Sequence, residues 1–113
     1  FLPRLIGLGR AKLFAFTGEL IDAKQAEELG LIDQLVQDSE FNAHVKGLAQ
    51  KLAKGPTKAI SMIKIAMNRS MAMDLETSSE YSQNLTFFTI TTEDYKEGYQ
   101  AFQQRRAPVY KGR

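Results

Sequence analysis

GPTKAISMIKIAMNRSMAM, residues 55–73, is the stretch that decides the fold class. Gly55-Pro56 ends one helix and opens the next, because a first-turn position leaves unused the N–H that proline lacks. Beyond it, Ile60, Ile63, Met67 and Met71 recur at helical spacing on one face, and Ala59, Met62, Ala66 and Met73 on a second. A helix apolar on two faces is usually buried on two sides. The stretch therefore reads as the centre of a helical assembly.

Working outward, the chain is helical from Ser39 onward. Phe41, Val45, Leu48, Ala49 and Leu52 form one stripe ahead of Gly55. Asp74 can cap a third long helix, strongly apolar at Leu85, Phe87, Phe88 and Ile90. Thr91 or Thr92 caps a last helix whose acidic first turn, Glu93 and Asp94, suits the helix dipole. Its packing stripe is Tyr95, Tyr99 and Phe102, its basic end Arg105 and Arg106, and Pro108 prevents continuation. Toward the N-terminus, residues 3–16 read as one helix with Pro3 in its first turn and Thr17-Gly18 at its end. Glu19 to Asp22 is short and extended. A helix of about seven residues follows from Ala23, closed by Gly30 in a left-handed position. Leu31 to Val36 is a short candidate strand. Extended residues near 19–22 and 31–36 are too few for an independent sheet, so the class is mainly α. Residues 1–38 are expected to be connecting helices and extended pieces, and residues 39–113 a helical region of their own.

A chain of 113 residues fits one small domain. Its 43% hydrophobic and 25% charged residues are the balance of a globular protein rather than of a disordered tail. A net charge of +2 gives no general case for nucleic acid or an anionic membrane as partner. Cysteine is absent, which removes disulfides and thiol chemistry and is compatible with the cytoplasm, the expected location. No apolar run approaches the ~18 residues of a membrane helix. Arg4, Arg10 and Lys12 sit around short apolar stretches in a way that does not resemble a signal peptide.

Groups able to do chemistry are few. His44 is the only histidine and shares its helix with Lys46 and Gln50, so a plain surface histidine is expected; with no cysteine beside it, no metal site is expected either. Gly7-x-Gly9 lacks the third glycine and the preceding strand of a dinucleotide fingerprint. Gly55-Pro56-Thr57-Lys58 lacks phosphate-loop spacing and reads as a helix junction. Asn68-Arg69-Ser70 and Asn84-Leu85-Thr86 match a glycosylation pattern but fall mid-helix. Glu27, Glu28, Glu93, Asp94 and Glu97 sit where capping, dipole or solvation explains them, and the four methionines read as core or interface filler. Arg105, Arg106, Lys111 and Arg113 form the one group with a plausible ligand. A solvated basic helix end is the simpler account, a phosphate site the sharper one.

Three strings resemble the crotonase, or enoyl-CoA hydratase/isomerase, superfamily. Residues 3–36 contain Arg4 to Gly7 (RLIG), Thr17 to Ala23 (TGELIDA) and Ala26 to Ile32 (AEELGLI), similar to that family's R-L-(I/V)-G, T-G-x-x-(I/L)-x-A and A-x-x-x-G-L-(I/V). The second string resembles a family helix start through Gly55-Pro56, Ala59, Lys64 and Asn68. The third, residues 92–113, resembles the C-terminal signature through Thr92, Asp94, Glu97-Gly98, Ala101-Phe102, Arg106, Pro108 and Gly112. The last is the most specific, and together the three cover nearly the whole chain.

The resemblance implies the C-terminal helical region of the crotonase fold, which builds a trimer or dimer of trimers and covers part of an active site. It implies an acyl-CoA substrate, with coenzyme A entering as the thioester and no separate cofactor. The sheet domain that carries the family's oxyanion-hole amides and paired glutamates is expected to precede Phe1, which opens directly onto a helical pattern without a cap. No catalytic residue is then expected in this chain, and inertness in isolation follows. Phe102 and Arg105, taken as three apart on one helical face, match family positions that touch the adenine end and 3′-phosphate of a neighbouring subunit's CoA. Hydration of a 2-enoyl-CoA is the activity expected of the parent. Isomerase, decarboxylase and naphthoyl-CoA synthase reactions share the signature, though the synthases carry a tyrosine near the position of Ile90. A stand-alone oligomerisation module is the alternative from another class, and a nucleic-acid binder the most distant.

Overall fold

A computed structural model describes residues 1–113, which form seven α-helices and no strand. They group into two compact units, Phe1–His44 and Val45–Arg113.

In the first unit, α1 (Leu2–Ile6) and α2 (Leu8–Thr17) pack on each other. The single helix expected over residues 3–16 is broken at Gly7, whose φ of 82° no helix accommodates. Ile6 and Ala11 are buried there, and α2 ends at Gly18 in the left-handed conformation. Asp22 opens α3 (Ala23–Glu28) with a capping box: the Gln25 N–H donates to Asp22 Oδ1 at 2.8 Å, and the Asp22 N–H donates to Gln25 Oε1 at 3.0 Å. Gly30 and Leu31 close α3 by donating back to the Glu27 and Ala26 carbonyls. The candidate strand over residues 31–36 does not form. A strand needs a ladder partner, and the Leu35 N–H is taken instead by the Glu27 carboxylate at 2.7 Å. Residues 19–22 are likewise outside any strand.

In the second unit, α5 (Thr57–Ser70) packs on α6 (Leu75–Ile90), and α6 meets α7 (Glu93–Gln103). Asp74 caps α6 through the Thr77 N–H, and Thr92 caps α7 through the Tyr95 N–H. Of the two apolar faces on α5, the one bearing Ala59, Met62 and Ala66 is half-buried, while Ile63, Met67 and Met71 stay exposed. Arg69 braces α5 to α6 by lying 5.0 Å from the Tyr81 ring centre. The stripe of α4 (Asp38–Ala53), Phe41, Val45, Leu48 and Leu52, is exposed throughout. No helix of the chain is long and apolar enough to cross a membrane.

Candidate functional site

The most constructed part of the chain is the end of α7 and the tail that folds back on it. On α7, Asp94, Gly98 and Ala101 lie at i, i+4 and i+7, one face of small or hydrogen-bonded residues. The tail covers that face. Asp94 is 3% exposed and accepts the Lys111 N–H at 2.7 Å and the Gly112 N–H at 2.8 Å, while its own N–H donates to the Arg113 carbonyl at 3.0 Å. The Tyr110 ring lies over Gly98, where an added Cβ would meet its hydroxyl at 3.3 Å. Gly112, at φ 73°, passes so near the start of α5 that a Cβ would meet Thr57 Oγ1 at 2.7 Å.

Half-buried Glu97 forms the second clasp. Both of its oxygens accept from the Arg106 guanidinium, Nη2 at 2.8 Å, and Oε1 also accepts the Val109 N–H at 2.8 Å. The Arg106 hydrogen bond, then the Val109 amide, hold the Glu97 carboxyl down to about 2. The same pair raises the Arg106 guanidinium above its ordinary value. Arg113 Nε reaches Glu93 at 3.0 Å across open solvent. Spacing alone assigned these carboxylates to capping, dipole or solvation. Their structural role holds, but Asp94 and Glu97 perform it as buried and half-buried anchors for residues 106–112, seventeen or eighteen positions away for Asp94.

The tail also corrects the expected packing stripe. Tyr95, Tyr99 and Phe102 are the open side of α7, Phe102 being 84% exposed, because the tail occupies the adjacent face. Nor do Phe102 and Arg105 share a helical face. Helix α7 ends at Gln103, and Arg105 is in the left-handed conformation at φ 52°. Arg105 and Lys111 have no acidic partner, whereas Arg106 and Arg113 do. The basic end therefore presents two cations without acidic partners, one of them, Arg105, three residues past an uncovered phenylalanine.

A groove of about 520 Å³ runs between α5 and α6, walled by Met62, Ala66 and Met67 on one side and Ser82, Leu85 and Thr89 on the other. Three of the α6 hydroxyls along it, Ser82, Thr86 and Thr89, each donate to the carbonyl four residues back. A second recess of about 320 Å³ lies between Pro56, Tyr95, Tyr99, Phe102 and Tyr110. His44 is an exposed histidine whose Nε2 lies 2.6 Å from Gln34 Oε1. No three His, Cys, Asp or Glu side chains are grouped closely enough to hold a metal ion. Every buried or half-buried carboxylate is engaged by backbone amides or arginine. Asn68 and Asn84 sit inside α5 and α6.

The chain matches the profile of the Enoyl-CoA hydratase/isomerase family over residues 1–113. It is 38% identical over 111 residues to the enoyl-CoA hydratase/isomerase-type protein YngF of Bacillus subtilis (strain 168), covering 98% of this chain and 43% of that one. It is 34% identical to the 1,2-epoxyphenylacetyl-CoA isomerase of Escherichia coli (strain K12), covering 99% of this chain and 43% of that one. The crystal structure of enoyl-CoA hydratase from Bacillus anthracis superposes with a TM-score of 0.91 at 37% identity, over 99% of this chain and 43% of that chain. The chain thus spans less than half the length of the relatives it matches. The profile match over every residue and the close superposition at 37% identity lead to one assignment: the chain belongs to the enoyl-CoA hydratase/isomerase family.

Proposed function

We propose that this chain is the C-terminal helical region of an acyl-CoA enzyme that hydrates a 2-enoyl-CoA, working in the cytoplasm. Its own part is to build the oligomer and to cover a neighbouring subunit's CoA site, with Phe102 against the adenine and Arg105 on the 3′-phosphate. The observation that carries this part is the end of α7, where an 84% exposed phenylalanine is followed by an arginine without an acidic partner. An aromatic face and a free guanidinium suit a purine and a phosphate respectively. The exposed apolar residues of α4 and those of the outer face of α5 each support an oligomer, since exposed apolar surface marks interfaces. The isomerase from Escherichia coli, at an identity close to that of the hydratase-type relatives, makes isomerisation the second reading.

Enolate chemistry at a thioester needs preorganised donors and a free acid or base. Asp94 and Glu97 are committed to the tail, and the chain alone is inert in this reading. Crotonyl-CoA hydration is the test: the isolated chain should leave the enone absorbance at background. Loss of absorbance in proportion to chain concentration would overturn inertness. In the parent enzyme, Arg105→Ala should raise KM for acyl-CoA several-fold and leave kcat nearly unchanged, with 3′-dephospho-CoA substrates much less affected. Equal effects on both substrates would reduce Arg105 to a solvated helix end.

A further inference from the structure

Helix α7 closes with two reversed hydrogen bonds: the Arg105 N–H donates to the Phe102 carbonyl at 3.2 Å and the Arg106 N–H to the Ala101 carbonyl at 3.0 Å. That closure requires one residue at positive φ, a position glycine usually fills. Here it is Arg105, the only non-glycine residue of the chain with a positive φ. A residue with a Cβ is disfavoured in this conformation, so contacts outside the residue must hold it there.

Glu97 supplies them. It lies one turn before Ala101 and ties down the chain on the far side of Arg105 at two points, the Arg106 guanidinium and the Val109 N–H. Gln104 Oε1 accepts from Arg106 Nε at 2.8 Å and completes the turn. The same carboxylate neutralises Arg106, which leaves Arg105, like Lys111 of the tail, without an acidic partner. We infer that Glu97 is a positioning residue for Arg105: it sustains the left-handed backbone from which the Arg105 guanidinium projects, and it removes Arg106 from competition for an anion. The anion arm rests on the reading of Arg105 as a phosphate contact; the backbone arm does not.

The two arms are separable by NMR on the 113-residue chain. A positive φ brings a residue's own HN and Hα close, so Arg105 should show a strong intraresidue HN–Hα NOE. In Glu97→Ala the left-handed form should lose its hold, and the NOE should weaken toward the level of a right-handed residue. Glu97→Gln, which keeps an acceptor for the Val109 N–H, should weaken it in the same direction while preserving the rest of the spectrum. An unchanged NOE in both variants would overturn the inference. For the anion arm, adenosine 3′,5′-bisphosphate is titrated against adenosine 5′-monophosphate and followed at the Arg105 side-chain Nε–Hε. The intact chain should shift more with the bisphosphate. The Glu97→Ala/Arg106→Ala double variant, which also removes the freed second cation, should lose that preference. A preference that persists while the NOE is lost would refute the positioning role. No preference in the intact chain would sink the phosphate reading of Arg105 and leave the NOE to decide the role of Glu97.

Discussion

Replacing Asp94 by asparagine should unfasten the tail without enlarging or shrinking the site. The carboxylate is 3% exposed and accepts two backbone N–H groups at 2.7 and 2.8 Å. A hydrogen bond to a charged acceptor contributes about 1.5–3 kcal/mol net. Asparagine keeps one acceptor oxygen and turns an NH2 toward the other amide, so one bond is lost and the survivor loses its charge assistance. The expected cost is about 2–3 kcal/mol. It is limited from above, because residues 110–113 can swing into water rather than leave their amides buried. Since 1.4 kcal/mol is a factor of ten, the released state should become about 50-fold more populated. Trypsin cleavage of the Lys111–Gly112 bond reads that population directly when opening is fast relative to cleavage, and it should accelerate by about the same factor. Glu93→Gln is the control. Its partner Arg113 is 63% exposed and Glu93 64%, and an exposed pair is worth at most about 1 kcal/mol, so cleavage there should rise less than about fivefold. Asp94→Asn within about twofold of the parent chain would show that the two amides do not hold the tail.

Other perturbations test the same architecture from other sides. Gly112→Ala meets Thr57 Oγ1 at 2.7 Å and places a Cβ at φ 73°; it should cost about 1–2 kcal/mol by denaturant midpoint, and adding Thr57→Ala should recover only the steric part. Glu97 titrates at about 2 rather than its ordinary 4.5. A depressed carboxyl stabilises the fold above its unfolded value, and that contribution drains away as pH falls from 4.5 through about 2. The protection of the Val109 amide, its exchange measured against the unstructured rate at the same pH, should fall across that window and lose the dependence in Glu97→Gln. The exposed apolar stripes of α4 and α5 should drive self-association, read by light scattering at micromolar concentration; a stable monomer across a dilution series would count against the interface reading.

Helix content and most helix ends were legible in the chain because they rest on local chemistry. Apolar residues repeat at helical spacing over 57–73, Asp74 and Thr92 stand one residue before their helices, Gly18 and Gly30 take the left-handed closing positions, and Pro56 cannot sit inside a helix. Gly7 was visible too, yet a lone glycine is compatible with a helix interior as well as with a break, and only the packing of α1 on α2 selected the break. Residues 31–36 carried a strand-like composition, but a strand exists only if another segment pairs with it, and the Glu27 carboxylate took the Leu35 amide first. The tail clasp was hidden for the same reason. Asp94 reads as an ordinary first-turn acid until Lys111 and Gly112, distant in sequence, bring their amides to it. That return of the chain decided which face of α7 is covered, left Tyr99 and Phe102 open, and paired Arg106 but not Arg105. Periodicity fixes which residues share a face of a helix; which face is buried depends on what the rest of the chain lays against it.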